Sequence, residues 1–274
     1  MPVAKPSPPK RSLPPFALTI AGSDSGGGAG IQADLRTFAA FGVHGLTAVT
    51  AVTAQNTLGV TAIHDIPPRV LRAQIDAVLT DFRIGAIKIG MLANAGLARE
   101  VALALQSYRH IPVILDPVLV ATTGAGLAKS NLLKALKQQL LSRTDLLTPN
   151  IPEAERLLER PVRTVEDMRI AATQLLEAGA RAVLLKGGHL AGNEISDLLL
   201  TRNGEHWFHQ RRIRGESHGT GCSLSSAIAA GIARGATLED AVENAIDFVH
   251  TGLAAGYRPG RGKLRVLDHL AAAR

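Results

Sequence analysis

Residues 16–42 read FALTIAGSDSGGGAGIQADLRTFAAFG, and they decide the architecture because an apolar run, a glycine-rich turn and an amphipathic stretch follow one another without a break. Residues 17–21 are apolar without polar alternation, the pattern of a strand covered on both faces. Five glycines between 22 and 30 interrupt the run, and residues 31–42 resume with helical spacing. The same succession recurs along the chain. Short β-rich runs at 46–52, 86–89, 112–116, 145–148 and 182–186 alternate with helical patterns at 70–82, 96–108 and 168–179, the last stopping on Gly179. Such alternation predicts an α/β fold with a mostly parallel central sheet between helix layers. Asn203-Gly204 then separates two extended runs in DLLLTRNGEHWFHQ, which predicts a small antiparallel hairpin at the sheet edge. Helices are expected again at 222–234 and 238–255.

The bulk composition narrows the function classes. With 274 residues and no internal repeat or linker, the chain reads as one domain over 16–274. Residues 1–15 carry six of the fourteen prolines and no apolar core region, so they read as a disordered tail and not a signal peptide. No window approaches the ~18 apolar residues of a membrane span. One cysteine excludes an intrachain disulfide framework and points to a reducing cytoplasm. The net charge of +7 is dispersed and aromatics are only 3% of residues, which argues against a nucleic-acid binder.

In open α/β sheets ligands bind beyond the carboxyl ends of the strands, which directs attention to the segments that follow them. GSDSGGGAG can be either a tight turn or a loop whose N–H groups approach a ligand; it matches neither the Walker A nor the GxGxxG spacing, and TGAGLAKS (123–130) also lacks the Walker glycines. PNIPE places Asn150 and Glu153 on one side of a helix starting after Pro152, near Asp116 at the end of another strand. That donor set suits Mg²⁺ with substrate phosphates, although Asn150 and Glu153 equally form a helix cap and Asp116 a turn acid. Lys186 ends a strand before two glycines, as either a phosphate contact or a surface lysine.

HGTGC (218–222) joins two glycines to a helix start. Its N–H groups and helix dipole form an anion cradle for a transferred phosphate. The dipole is also expected to lower the Cys222 thiol pKa and fit it to take a proton from an attacking hydroxyl; a small buried cysteine is the structural alternative. A base role predicts that Cys222→Ala slows transfer to an alcohol by about 10²–10⁴. His218 invites a Cys-His nucleophile, but Thr220 and Leu224 stand where a nucleophile elbow needs glycines. His206 and His209, three apart on a strand, face opposite ways and do not form a metal pair.

The ordered set ALTIAGSDSGGGAGIQADLRTF, TAVTAQNT, KIGML, LDPVLVATTG, LLTPNIPEAERLL, VLLKGGH and HGTGCSLSSAIAAGIARG resembles the ribokinase-like small-molecule kinases, and within them the bacterial hydroxymethylpyrimidine and phosphomethylpyrimidine kinases of thiamine biosynthesis. The resemblance covers nearly all of residues 16–258. It implies a three-layer α/β/α ribokinase-like fold and an ATP- and Mg²⁺-dependent transfer, first to a hydroxymethyl oxygen and then to the resulting phosphate. It implies that Gly22, Asp34, Gln55, Met91 and Val118 line the pyrimidine site. Asp116, Asn150 and Glu153 would organise Mg²⁺ and nucleotide phosphates, Lys186 would contact phosphate, and Gly219, Thr220, Gly221 and Cys222 would form the anion hole. Most relatives in the wider superfamily carry Asp at the Cys222 position, which favours the pyrimidine kinases, with pyridoxal kinases as the neighbouring alternative. The resemblance further implies a cytoplasmic homodimer. Thr122 stands where many relatives carry Lys, PGRGKLRVLDHL only partly matches the family ending, and the proline-rich tail has no counterpart.

Overall fold

A computed structural model of the chain describes residues 13–119 and 131–273. Residues 1–12 of the expected tail, Thr122 and the TGAGLAKS segment lie outside the described residues.

The first half of the chain forms β1 (Phe16–Asp24), α1 (Gly30–Ala40), β2 (His44–Asn56), β3 (Gly59–Asp65), α2 (Pro68–Asp81), β4 (Ile84–Ile89), α3 (Ala95–Ala104) and β5 (Val113–Leu115). After α4 (Leu132–Ala135) come β6 (Leu146–Leu147), α5 (Ile151–Leu158), α6 (Val165–Glu177) and β7 (Ala182–Leu185). The hairpin β8 (Glu194–Thr201) and β9 (Gly204–Arg211) is followed by β10 (Ser217–His218), α7 (Thr220–Ala233), α8 (Leu238–Ala254), β11 (Arg265–Val266) and α9 (His269–Ala272). The nine-stranded sheet runs β3-β2-β1-β4-β5-β6-β7-β8-β9. β2, β1, β4, β5, β6 and β7 are mutually parallel. β8 and β9 add the expected antiparallel edge.

The opposite edge departs from expectation. β3 folds back antiparallel on β2, pairing Gln55 with Val60 and Asn56 with Gly59. AQNT is therefore a hairpin tip and not the start of a strand-to-helix loop. Its turn is set by Asn56, whose side-chain oxygen accepts the Leu58 N–H at 2.8 Å. A second small sheet pairs β10 with β11 in parallel. The segment between α8 and β11 then reaches the hairpin tip, where Gly262 N–H donates to Thr57 Oγ1 at 3.0 Å.

Strand side chains alternate between two cores. Leu18, Ile87, Leu115 and Leu147 join Leu71, Ile75, Leu97 and Met168 on one face. Ala17, Ala86, Ile114 and Leu184 join Leu224, Ile228 and Val242 on the other. Small residues beneath α7 let that helix sit close to the sheet: a Cβ on Gly85 would lie 2.9 Å from the Ala233 backbone. Residues 223–231 of α7 are all buried, as expected of a helix that is apolar or small on every side.

Between these layers lies an ion pair. Lys88 Nζ on β4 donates to both Asp34 oxygens on α1, each at 2.9 Å, and both side chains are 0% exposed. Thr19 of β1 and Ser226 of α7 donate to the same carboxylate at 2.6 and 2.7 Å. Burial works against the Lys88 charge, yet Asp34 holds its pKa above that of an ordinary lysine. Removing one member of such a pair strands a buried charge. Lys88→Met is expected to lower the unfolding free energy by about 3–5 kcal/mol in urea titrations, and adding Asp34→Asn should recover part of the loss; equal stability of the native chain and Lys88→Met would contradict this account.

Candidate active site

A cavity of about 920 Å³ opens at the carboxyl ends of the parallel strands and is lined by residues of each loop singled out above that lies within the described residues. At its centre, Gly219 caps α7 with φ +80° and no side chain occupies the first-turn N–H groups. A Cβ on Gly219 would run into the Gly28 carbonyl, and one on Gly221 would sit 3.2 Å from Lys186 Nζ and 3.6 Å from Asp116 Oδ2. Backbone geometry requires glycine at 219, and glycine at 221 leaves space beside Lys186 and Asp116. The helix N-terminus therefore faces the cavity bare, with the amide groups of Thr220, Gly221 and Cys222 available to an anion.

The glycine-rich loop after β1 behaves otherwise. The Asp24 carboxylate accepts the N–H groups of Gly26, Gly28 and Ala29 at 2.8, 3.0 and 2.8 Å. Burial alone would raise its pKa; His218 and the Ala29 and Gly26 amides bring it below the usual range. The loop's donors are thus occupied from within, and its glycines serve turn geometry: Gly27 and Gly30 have φ of +73° and +58°. Of the two readings of GSDSGGGAG, the tight turn is the one these bonds describe.

Beside the start of α7, Lys186 Nζ donates to Asp116 Oδ1 at 3.1 Å. Lys186 is carried there by the end of β7, where its own N–H bonds Pro149 O at 2.9 Å. α5 begins at Ile151, ahead of the expected start after Pro152, with a capping box in which Asn150 N–H donates to Glu153 Oε2 at 2.8 Å and Glu153 N–H to Asn150 Oδ1 at 2.9 Å. Capping and cavity lining are therefore compatible, since one Glu153 oxygen closes the box while the residue also faces the cavity. Burial, and then the neighbouring Asp116, raise the Glu153 pKa against the pull of Lys186. Lys186 keeps its charge despite burial because Asp116 and Glu153 hold its pKa up.

Gly22, Gln55, Met91 and Val118 line the same cavity. Gly22 makes room for Met91, whose sulfur would lie 3.0 Å from a Cβ there. Asp34 does not join them. It is not among the lining residues, because its carboxylate is turned inward to Lys88, Thr19 and Ser226; Lys88 carries the influence of this pair to the cavity wall. Sequence reasoning gave Lys88 and Asp24 no role, although a lysine within the apolar AIKI run was a signal of a buried partner.

Two expectations about Cys222 need correction or closure. Its pKa is pushed up to about 11, first by burial, with Asp34 and Asp116 adding to the rise and Lys88 and the Gly30 amide opposing it. The helix dipole does not outweigh these effects, so the thiol is held protonated. A Cys-His dyad is also absent: His218 Nε2 lies 3.1 Å from Asp24 Oδ2 and 2.9 Å from the Gln55 amide, and its Nδ1 has no partner among the described residues.

A family model described as phosphomethylpyrimidine kinase matches residues 24–267. The chain belongs to the phosphomethylpyrimidine kinase family. It is 45% identical over 240 residues to the hydroxymethylpyrimidine/phosphomethylpyrimidine kinase of Escherichia coli, covering 87% of this chain and 90% of that one. It is 44% identical to the thiamine biosynthesis bifunctional protein of Geobacter sulfurreducens, covering 93% of this chain but spanning about half, 52%, of that longer protein. Among solved structures, the phosphomethylpyrimidine kinase of Clostridium difficile superposes with a TM-score of 0.77 at 38% identity, covering 86% and 97% of the two chains. The pyridoxal kinase of Staphylococcus aureus in complex with pyridoxal superposes at 0.88 with 28% identity, covering 96% of each. These neighbours confirm the ribokinase-like three-layer fold.

Because Cys222 is the sole cysteine, any thiol reagent reports on it alone. Alkylation by iodoacetamide is expected to run about a hundredfold slower at pH 8 than for a free thiol and to rise about tenfold per pH unit. A free-thiol rate would show that the dipole, not burial, sets its ionisation.

Proposed function

We propose that the chain is an ATP-dependent kinase that phosphorylates 4-amino-5-hydroxymethyl-2-methylpyrimidine to its monophosphate and then to the diphosphate. One observation carries this reading: the bare N-terminus of α7 and the Lys186–Asp116–Glu153 cluster lie side by side in the cavity that Gly22, Gln55 and Met91 also line. The ring would lie at the Gln55 end with its hydroxymethyl group towards Gly221. The ATP phosphates would lie along Asn150 and Lys186, with the γ-phosphoryl group against the α7 amides.

The residues fit Mg²⁺. Two buried carboxylates, Asp116 and Glu153, flank a single lysine, and Asp116 adds to the cost of ionising Glu153; Mg²⁺ is held by one or two carboxylates together with substrate phosphates. When bound there it would neutralise phosphate charge. Phosphoryl transfer has a loose transition state, so catalysis comes from alignment and charge stabilisation. Lys186 and the amides of Gly219–Cys222 supply both to the moving group. In the first transfer Cys222, as a protonated thiol, orients the acceptor hydroxyl without taking its proton. In the second the acceptor is an ionised phosphate and requires no base. The same reading makes the partners small molecules and places the enzyme in the cytoplasm as a homodimer; the single cysteine suits a reducing compartment.

The decisive assay is ADP release from Mg²⁺-ATP with hydroxymethylpyrimidine, its monophosphate or pyridoxal. Both pyrimidines are expected to stimulate turnover and pyridoxal to do so more weakly; stimulation by pyridoxal alone would move the chain to the neighbouring kinase class. Gly221→Ala keeps the backbone N–H but sets a methyl group 3.2 Å from Lys186 Nζ in the space of the transferred phosphate, and should lower kcat for both transfers by about 10²-fold, the scale of a disturbed oxyanion hole. With the thiol protonated, Cys222→Ala should slow only the first transfer, by about tenfold at most. A first-transfer rate that climbs steadily from about pH 7 to 9 and loses that climb in Cys222→Ala would restore the base role.

A further inference from the structure

The three polar side chains around Gln55 fix which end of its amide points where. The Gln55 backbone is already pinned, since Ser25 Oγ donates to its carbonyl at 2.7 Å and accepts its N–H at 2.8 Å. The amide nitrogen stands 2.9 Å from His218 Nε2, and the amide oxygen 3.4 Å from Thr53 Oγ1. Both neighbours have prior commitments. His218 Nε2 is 3.1 Å from Asp24 Oδ2, a carboxylate that can only accept, so that nitrogen must carry the proton. Placing the proton on Nδ1 instead would set a lone pair against the carboxylate and leave a buried N–H with no acceptor, because Nδ1 has no partner among the described residues. Thr53 has one hydroxyl proton, which it donates to Ser23 O at 2.9 Å; towards Gln55 it offers a lone pair.

A donor thus faces one end of the amide and an acceptor the other. The arrangement is satisfied when the amide is turned by half a rotation, which exchanges oxygen and nitrogen without changing shape. The Gln55 oxygen then shares the single His218 Nε2–H with Asp24 Oδ2 in a three-centre bond, and the NH₂ group donates to Thr53. One oxygen lone pair and one N–H remain for a ligand, side by side in one plane.

We propose that His218 and Thr53 are positioning residues that lock the Gln55 amide in this orientation, so that the glutamine expected at the ring meets an exocyclic amino group next to a ring nitrogen. Such an edge offers a donor and an acceptor side by side, and glutamine pairs with it bidentately, as it does with adenine. A pyridine ring without the amino group leaves the Gln55 oxygen unmet. The selectivity half of this inference rests on the kinase reading above; the orientation rests only on the bonds around Gln55. His218 also precedes Gly219 directly, so the residue that orients the ring reader is continuous with the anion hole.

Two measurements test this. By NMR of the full chain without ligand, the Gln55 side-chain NH₂, assigned from its loss in Gln55→Glu, should show contacts to the Thr53 methyl group. Contacts to the His218 ring instead would overturn the lock. By kinetics, the native chain is compared on hydroxymethylpyrimidine and on the analogue lacking the 4-amino group. The preference for the amino compound should fall by about tenfold in His218→Leu and in Thr53→Val, the scale of one lost net hydrogen bond. It should persist in His218→Gln, whose amide N–H replaces Nε2–H, and KM for ATP should hold in all three. Equal losses on both substrates, with the preference intact, would reduce His218 and Thr53 to structural roles. If the native chain phosphorylates neither pyrimidine, the proposed function and the selectivity fail together, and the NMR contacts still decide the orientation.

Discussion

The Asp34–Lys88 pair joins four elements at one point: α1 through Asp34, β4 through Lys88, β1 through Thr19 and α7 through Ser226. It is the interaction on which the site depends, because α7 carries the anion hole and β1 the glycine loop. Apolar packing alone would hold α7 loosely, since apart from Leu224 and Ile228 its buried residues are alanine, serine and glycine and small side chains interlock weakly. A fully buried carboxylate that accepts from three different elements permits one arrangement. The geometric demand is strict because charges desolvated in the interior are tolerated only when their hydrogen bonds are complete.

That fixed frame explains a division of labour between the two glycine-rich loops. Both present N–H groups at the same cavity, and both precede helices. In the first, Asp24 supplies the anion internally and the loop becomes a rigid wall. In the second, Gly219 keeps side chains away from the helix start, and the amides remain available. The loops touch where Gly219 passes the Gly28 carbonyl, so the closed nest holds the open one in place.

Much of this was legible in the sequence, and the remainder was hidden for identifiable reasons. Parallel strands announce themselves as short apolar runs between helices, and six of them were located. β3 was missed because GVTAIHD is half exposed and mixed in polarity, so it lacks the pattern of a buried strand. β10 and β11 are two residues each, below any period. At the site, Lys186, Asp116, Asn150 and Glu153 were found because they follow strands directly. Asp34, which the resemblance alone assigned to the pyrimidine site, sits behind the cavity wall, a depth that its place in the first turns of a helix does not reveal. The Cys222 ionisation was misjudged for a related reason: a helix dipole can be read from sequence, whereas desolvation depends on neighbours more than a hundred residues away.

The pairing of β10 with β11 has a consequence for how the molecule is made. Ser217 and His218 acquire their strand partners from Arg265 and Val266, and the tip of the β2–β3 hairpin is held by Gly262. On a ribosome, the sheet and both helix layers can assemble while this last stretch is still inside the exit tunnel. Synthesis therefore makes the contacts that back His218 and the β2–β3 hairpin tip the last to form, after the sheet that carries both is complete.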